Sequence, residues 1–337
     1  MSTNVTIKDI AKKAEVSTAT VSNVLTRKKY VSTERVQRVY QAIKELGYRP
    51  NVSARTLKTN RSYTIGVQVP DITNPFFGDI VKNIQTEALK SGYQIILYNS
   101  DSVSDTEEKN INSMLNSQLD GIISIAPRMD LNQLLEMVDV PMVIVDRPPV
   151  KTDRNVAFVY ADNYLGAASV ADFLVEKGYN RFFCLAGPVG VVSNARMRVK
   201  GFQETLLNHG IDAERCEVHY GDFSFQSGFD LMSEILDTYE PDGNPAAAFV
   251  TSDIMAWGAM EALKEKRMKM PRDMGIVGYD NVYFSSFFYP KLTTVQNPSG
   301  EMAANAIRIL IDSLENSESM NDIAVSLECS LIERESC

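Results

Sequence analysis

Histidine is nearly absent from this 337-residue chain, with only His209 and His219, both expected at surface or strand-end positions. Nucleophilic and acid–base catalysis need a base held beside a nucleophile, and no such set is visible. The four cysteines (Cys184, Cys216, Cys329, Cys337) are scattered without metal or redox spacing, so reduced thiols and no metal site are expected. No phosphate-loop GK[ST] occurs, and GPVG at 187–190 is not a dinucleotide fingerprint, so no cofactor is expected. No apolar run approaches the roughly 18 residues of a membrane span. The opening MSTNVTIKD lacks the basic-then-apolar pattern of an export signal, so the expected location is the cytoplasm. Leucine heptads are missing before Cys337, and a coiled-coil tetramer is not expected. These absences turn the reading away from an enzyme.

Charge is present but unevenly placed. Residues 1–62 carry thirteen Lys and Arg against four Asp and Glu, a net +9, whereas the remainder carries −18, for a total of −9. A small basic module on an acidic body is the footprint of nucleic-acid binding through one end. The length suggests two or three domains.

The basic module reads as three short helices. Thr6 can cap the first, with Ile7, Ile10, Ala11 and Ala14 on one face. Ala14, Glu15 and Val16 are left for a turn, and Ser17 can cap a second helix that buries Val21, Val24 and Leu25. This is the span of a helix-turn-helix. Ser32 can cap the third, which carries Val36, Val39, Tyr40, Ile43 and Leu46 and ends at Gly47. The N-terminal residues of a recognition helix meet base edges, here Thr18, Ala19, Ser22 and Asn23. Lys8, Arg27, Lys28, Lys29, Arg35 and Arg38 suit phosphates, and each equally suits a solvated surface. After Pro50, a helix over about 52–58 is too short to be stable alone and is expected to form on docking.

From Tyr63 onward, short apolar strands alternate with helices, and the β-loop-α-β order appears twice. Strands are expected at Tyr63–Val69, Gln94–Asn99, Asp120–Ile125, Pro141–Val145, Phe182–Ala186, Glu217–Tyr220, Ala247–Thr251 and Gly275–Gly278, with a closing strand near 323–332. Helices are expected at Phe77–Lys90, Ala195–His209, Asp230–Tyr239, Met255–Lys266 and 301–316, among others. Two doubly wound parallel sheets follow.

The segments VSTATVSNVL, ELGYRPNVSARTLKT, IGVQVPDITNPFF, DGIISIAP, IVDRP, ADNYLGA, GFQETL, GDFSFQSGFD, TSDIMAWGAMEAL, IVGYDN and LTTVQNP run nearly end to end. In order and spacing they resemble the lactose/galactose repressor family of bacterial transcription regulators. The resemblance implies a helix-turn-helix headpiece at 1–48, a hinge helix and linker at 49–61, and a periplasmic-binding-protein-like α/β body at 62–337. It further implies three crossings between two lobes, the first at about 62–161 and 293–319, the second at about 162–292 and 320–337. Thr18, Ala19 and Asn23 match the family's base readers. Leu57 matches the leucine that wedges into the minor groove, with Ala54 and Lys58 beside it. Asn23 stands where a basic residue is common in the family, so the operator is expected to differ, and Glu15 stands where Gly is frequent, which is expected to cost a little stability without changing the fold.

Ligands of open α/β sheets bind beyond the carboxyl ends of the strands. Asp71, Asn74, Phe76, Phe77, Asp146, Arg147, Arg196, Arg198, Phe223, Ser252, Asp253, Asp280 and Gln296 fall at such places. Carboxylates and guanidinium groups bind vicinal hydroxyls in pairs, and aromatic faces cover a sugar ring. Resemblance to ribose-type sugar repressors maps contacts onto Asn74, Phe76, Phe77, Asp146, Arg147, Arg198, Phe223, Asp280 and Gln296, with Ser252 where Asn is usual. The expected protein is a homodimeric repressor of carbohydrate-utilisation genes. It binds double-stranded operator DNA and is released by a small sugar, ribose or similar. Alternatives are control by a purine, a sugar phosphate or a partner protein as co-repressor, a non-regulatory sugar-binding protein, and a sugar-acting enzyme. A purine could stack on Phe76 or Phe223.

Overall fold

The structure is a computed structural model and describes residues 5–26, 30–48, 61–188, 194–241, 243, 245–316 and 318–337. Two compact units divide at Ser62 and Tyr63.

The first unit holds α1 (Ile7–Lys13), α2 (Thr18–Thr26) and α3 (Thr33–Leu46). Thr6 forms a capping box with Asp9, which satisfies two donors of the open helix end. The Ser17 hydroxyl accepts from the Thr20 N–H at 3.1 Å and caps α2. Between them Glu15 has a φ of 51°, the left-handed geometry that makes the turn tight. Gly47 ends α3 at a φ of 63°. The core is Ile10, Ala11, Ala14, Val21, Val24, Val39 and Ala42. Ile7 and Tyr40 are exposed, contrary to the periodic reading, because each falls at the margin of its helix's apolar stripe, whose centre is Ile10 in α1 and Val39 with Ala42 in α3. Ser32 occupies the cap position of α3 but makes no side-chain capping bond.

The second unit contains two six-stranded sheets. The first comprises β1 (Thr64–Val69), β2 (Gln94–Asn99), β3 (Gly121–Ile125), β4 (Met142–Val145), β5 (Val156–Ala161) and β11 (Ala324–Leu327), in the order β11-β5-β4-β3-β1-β2. The second comprises β6 (Arg181–Ala186), β7 (Cys216–Tyr220), β8 (Ala246–Val250), β9 (Gly275–Asp280), β10 (Thr293–Gln296) and β12 (Ser330–Ile332), in the order β12-β10-β9-β8-β6-β7. All pairings are parallel except β10 with β12. In each sheet the first strand lies between the second and third, so the chain reverses its winding direction there. The inner strands are buried on both faces and read as continuous apolar runs, as β3 (GIISI) and β8 (AAAFV) do.

The first sheet is covered by α4 (Pro75–Lys90) and α11 (Ser299–Asn316) on one face, and by α5 (Ser104–Asn116) and α6 (Leu131–Met137) on the other. The second lies between α7 (Asn163–Glu176) with α8 (Asn194–Asn208) and α9 (Phe225–Thr238) with α10 (Asp253–Glu265). Helices α9 and α10 approach closely through glycine. A Cβ on Gly228 would fall 2.0 Å from the Met255 carbonyl, and one on Gly258 the same distance from that of Phe225.

Several sequence expectations need correction. The lobe boundaries shift, because β10 (293–296) pairs with β9 in the second sheet while β11 (324–327) pairs with β5 in the first. The single strand expected near 323–332 is therefore two strands in two sheets, and the region 324–332 itself crosses between lobes. Helix α9 begins at Phe225 rather than Asp230, where Ser224 caps it by accepting from the Ser227 N–H. Strand β5 and helices α6 and α7 were not anticipated; α7 carries a weak apolar stripe because its small residues, Gly166 and Ala167 among them, are buried.

Candidate functional site

The headpiece presents α2. Thr18 and Ala19 are exposed, and Ser22 and Asn23 are half-buried one turn further on. No acidic residue occupies the first turn of α2, so the positive end of the helix dipole is left unopposed. Lys8 and Arg35 are exposed, but Arg38 leans toward Glu15 at 3.8 Å, so its charge is not wholly available to a phosphate. Arg27, Lys28, Lys29, Ala54, Leu57 and Lys58 lie outside the described residues.

In the body, a cavity of about 160 Å³ opens between the carboxyl ends of the two sheets. Asp71, Asn74, Phe76, Phe77, Asp146, Arg147, Arg198, Phe223, Ser252 and Asp280 line it, as the sequence predicts. That volume suits a compact ligand rather than the roughly 300–1,000 Å³ pockets of drug-sized molecules. Three of these side chains, and that of Ala126 beside them, emerge from strained backbone. Ala126, Asp146, Phe223 and Asp280 all have positive φ (44°, 60°, 70° and 112°) where their strands end, a strain that recurs at binding sites.

Arg198 is the centre of the cleft. It is 4 % exposed, donates through Nε to Asn163 Oδ1 at 2.7 Å and through Nη1 to the Thr251 carbonyl at 2.6 Å. Its Nη2 lies 3.5 Å from Asp280 Oδ1, and its guanidinium stacks 3.7 Å from the centre of the Tyr279 ring. Burial opposes its charge, but Asp280, Tyr279 and Asp146 outweigh that and raise its pKa. Arg147 donates to the carbonyls of Pro127, Asp146 and Ala126, which fixes its fork across the end of β3. Burial lowers its pKa, and the neighbouring Asp146 opposes the fall.

The carboxylates are held in the opposite sense. Burial pushes Asp280 up to about 7, against the pull of Arg198 and the hydrogen bond from Asn297 Nδ2. Burial also raises Asp146, with Arg198 and Arg147 opposing. Asp146 Oδ1 is buried without a hydrogen-bond partner among the described residues. An unsatisfied buried acceptor of this kind is costly unless something fills it.

Aromatic rings close the cavity. Phe76 and Phe77 follow Asn74, which caps α4 by accepting from the Phe76 N–H at 3.0 Å. The Phe223 ring lies directly on Gly187, where a Cβ would collide at 2.0 Å. Ser252 caps α10 by accepting from the Met255 N–H.

Three expected residues are elsewhere. Gln296 does not line the cavity: its side-chain oxygen accepts from Asn281 and its amide donates to the Asn297 carbonyl. Arg196 lies on a separate outer groove with Lys200 and Tyr220, because its position on α8 is half a turn from that of Arg198. Asp253 is fully buried and structural, accepting from Ser285, Thr294 and the Val282 N–H; burial raises its pKa to about 6. Sequence reasoning missed Ser102, Arg128, Asn194 and Asp222 on the cleft wall, and Asn163 behind it. The strand-end rule that found Asp71 and Asp146 reaches Ser102 and Arg128 as well, whereas Asn163 depends on the unrecognised α7.

Among the described residues no cluster suits a metal ion, and no helix is long and apolar enough to cross a membrane.

Residues 6–51 match the family model for bacterial regulatory proteins of the lacI family, and residues 171–337 match that for a periplasmic binding protein-like domain. The chain is 32 % identical to the ribose operon repressor of Escherichia coli (strain K12), over 91 % of this chain and 92 % of that protein. It is similar to the lac repressor dimer bound to operator and an anti-inducer, with a TM-score of 0.82, 26 % identity, and 99 % of each chain covered. A lacI-family regulator from Enterococcus faecium with bound ribose matches at a TM-score of 0.72 and 26 % identity, over 81 % of this chain and 98 % of that one. The chain belongs to the lacI family of bacterial regulatory proteins, which are DNA-binding transcription regulators and not enzymes.

Proposed function

We propose that this protein is a cytoplasmic, homodimeric repressor whose operator affinity is lowered by a small sugar, ribose or one close to it, bound in the cleft. The observation that carries the sugar is the orphaned Oδ1 of Asp146, a buried carboxylate under the pull of Arg198 and Arg147 that lines the same cavity as Asp280. Sugar hydroxyls donate to such carboxylates and accept from such guanidinium groups, while Phe76, Phe77 and Phe223 supply the faces that cover the ring. A relative named as the ribose operon repressor and a solved relative with bound ribose add support.

On the DNA side, Thr18, Ala19, Ser22 and Asn23 read base edges. Asn23 suits adenine, to which Asn presents a paired donor and acceptor. Leu57 is the minor-groove wedge of the hinge, with Ala54 and Lys58 as its groove neighbours. Two headpieces of a dimer read two half-sites of a near-palindrome. The domains are a headpiece at 1–48, a hinge at 49–61 and a two-lobed body from 62. For the sugar to act as inducer, it must bind the DNA-released state more tightly than the DNA-bound state.

Thermal unfolding of the full chain against pentoses, hexoses and purines tests the ligand, since a ligand of the native state raises the melting temperature. A sugar that stabilises the wild type but not Asp280→Ala is expected. Stabilisation by a purine alone would reject the sugar.

A further inference from the structure

The cleft holds three arginines, and one of them is uncommitted. Arg198 and Arg147 are each fixed by several protein acceptors, as above. Arg128, on the loop after β3, uses only its backbone N–H, which donates to Glu107 Oε2 at 2.8 Å. Its half-buried guanidinium makes no hydrogen bond or close ion pair with any described residue, and the Glu107 and Asp146 carboxylates act on its charge only at longer range. Withdrawing a guanidinium from water without an acceptor is unfavourable, because its donors lose solvent and gain nothing.

Two more polar groups stand uncommitted on the same wall. The Ser102 hydroxyl and the Asn74 Nδ2 make no hydrogen bond among the described residues, although the Ser102 N–H donates to the Pro70 carbonyl and Asn74 Oδ1 accepts from Phe76. Asn74, Ser102 and Arg128 follow β1, β2 and β3, which are neighbours in the sheet, so their loops lie side by side. The carboxylates on these loops are already occupied. Asp71 accepts from Thr73, Asp101 from Asn99 and Asp130 from the N–H groups at the start of α6.

We propose that Arg128, Ser102 and Asn74 form an anion subsite on the first-lobe wall of the cleft. The effector is then a sugar that carries a phosphate or carboxylate group. This rests on the sugar reading of the cleft above but replaces neutral ribose with an acidic sugar, of which the sugar phosphate named among the alternatives is one case. A planar guanidinium fork matches a phosphate or carboxylate with two parallel charge-assisted bonds, about twice as strong as those it makes to neutral sugar hydroxyls. The sugar hydroxyls remain with Asp146, Arg147, Arg198 and Asp280.

The test is calorimetric titration of the full chain with matched probes: D-ribose against D-ribose 5-phosphate, D-glucose against D-glucose 6-phosphate, and D-glucose against D-gluconate. The acidic member of at least one pair is expected to bind about tenfold tighter or more than its neutral partner, the gain of charge-assisted bonds. Phosphate and carboxylate arms separate the two anion types. In Arg128→Gln that advantage should vanish, and Arg128→Lys should keep part of it. A purely structural role for Arg128 would weaken both members of a pair alike. Equal or tighter binding of the neutral sugar overturns the anion subsite and leaves the sugar reading intact. So does an acidic advantage that survives in Arg128→Gln. Binding of neither kind overturns the sugar reading and this inference together.

Discussion

Arg198 Nη2 and Asp280 Oδ1 lie 3.5 Å apart with both residues nearly excluded from water, at 4 % and 8 % exposed. Both residues belong to the second sheet's lobe, Arg198 on α8 and Asp280 at the end of β9. The pair joins a buried positive charge to a carboxyl that burial holds at about 7.

That carboxyl makes stability depend on pH. Asp280 has a folded pKa raised above its ordinary value of 3.8, so the native state binds more protons than the unfolded state between pH 4 and 7. Stability is therefore greatest at the acid end of that window for this group and falls as pH rises through it. Asp280→Asn should reduce this slope without abolishing it, because Asp253 at about 6 acts in the same sense. Denaturant midpoints of both proteins at pH 4.5 and 7.5 measure it; identical slopes would refute the assignment.

The close crossing of α9 and α10 gives a packing prediction. Gly228→Val places carbon on the Met255 carbonyl, and backbone cannot yield as a flexible side chain can. A loss of at least about 3 kcal/mol is expected, at the upper end for overpacked cores. Urea unfolding of the full chain reads it, and a wild-type midpoint would show that the helices separate freely.

Glu15 occupies left-handed backbone in the helix-turn-helix turn, where a side chain is strained. Its contact with Arg38 at 3.8 Å is exposed and contributes little. Glu15→Gly should stabilise the headpiece by about 0.5–1 kcal/mol, the strain relieved less the extra chain entropy of glycine. Hydrogen exchange of the α1 to α3 amides in the full chain is the readout. Faster exchange in the variant would mean that Glu15 is not strained.

Asn23 on α2 gives a specificity prediction. Asn23→Ala should cost about 1–3 kcal/mol on the preferred duplex and relax choice at one base pair per half-site. Lys8→Ala should instead weaken all duplexes alike and reduce the salt slope by about one. Binding to a set of singly substituted duplexes at several salt concentrations separates the two patterns. Uniform loss in Asn23→Ala would remove it from base readout.

Much of this was legible in residue order. Thr6, Ser17 and Gly47 mark helix ends by local chemistry, and the buried strands announce themselves as short apolar runs. Asp146 and Asp280 were found because they follow recognisable strands, whereas Ser102 and Arg128, which follow such strands too, were missed. What else failed depended on pairing across distance. Nothing local tells that β10 joins β9 or that β11 joins β5, so the lobes were cut in the wrong places. Gln296 follows a strand like the others, yet Asn281 and Asn297 hold its amide away from the cavity. Asp253 stands at a strand end too, but three donors from other elements turn it inward.

The central claim is that occupation of the cleft releases DNA. The direct measurement is to select a duplex from a random library with the full chain, then titrate that duplex with and without a saturating sugar. The account predicts a near-palindromic sequence with two half-sites. It further predicts that a sugar which binds the wild type weakens this duplex, and does not weaken it in Asp280→Ala. Affinity that rises with the sugar, or is indifferent to it, would contradict the account.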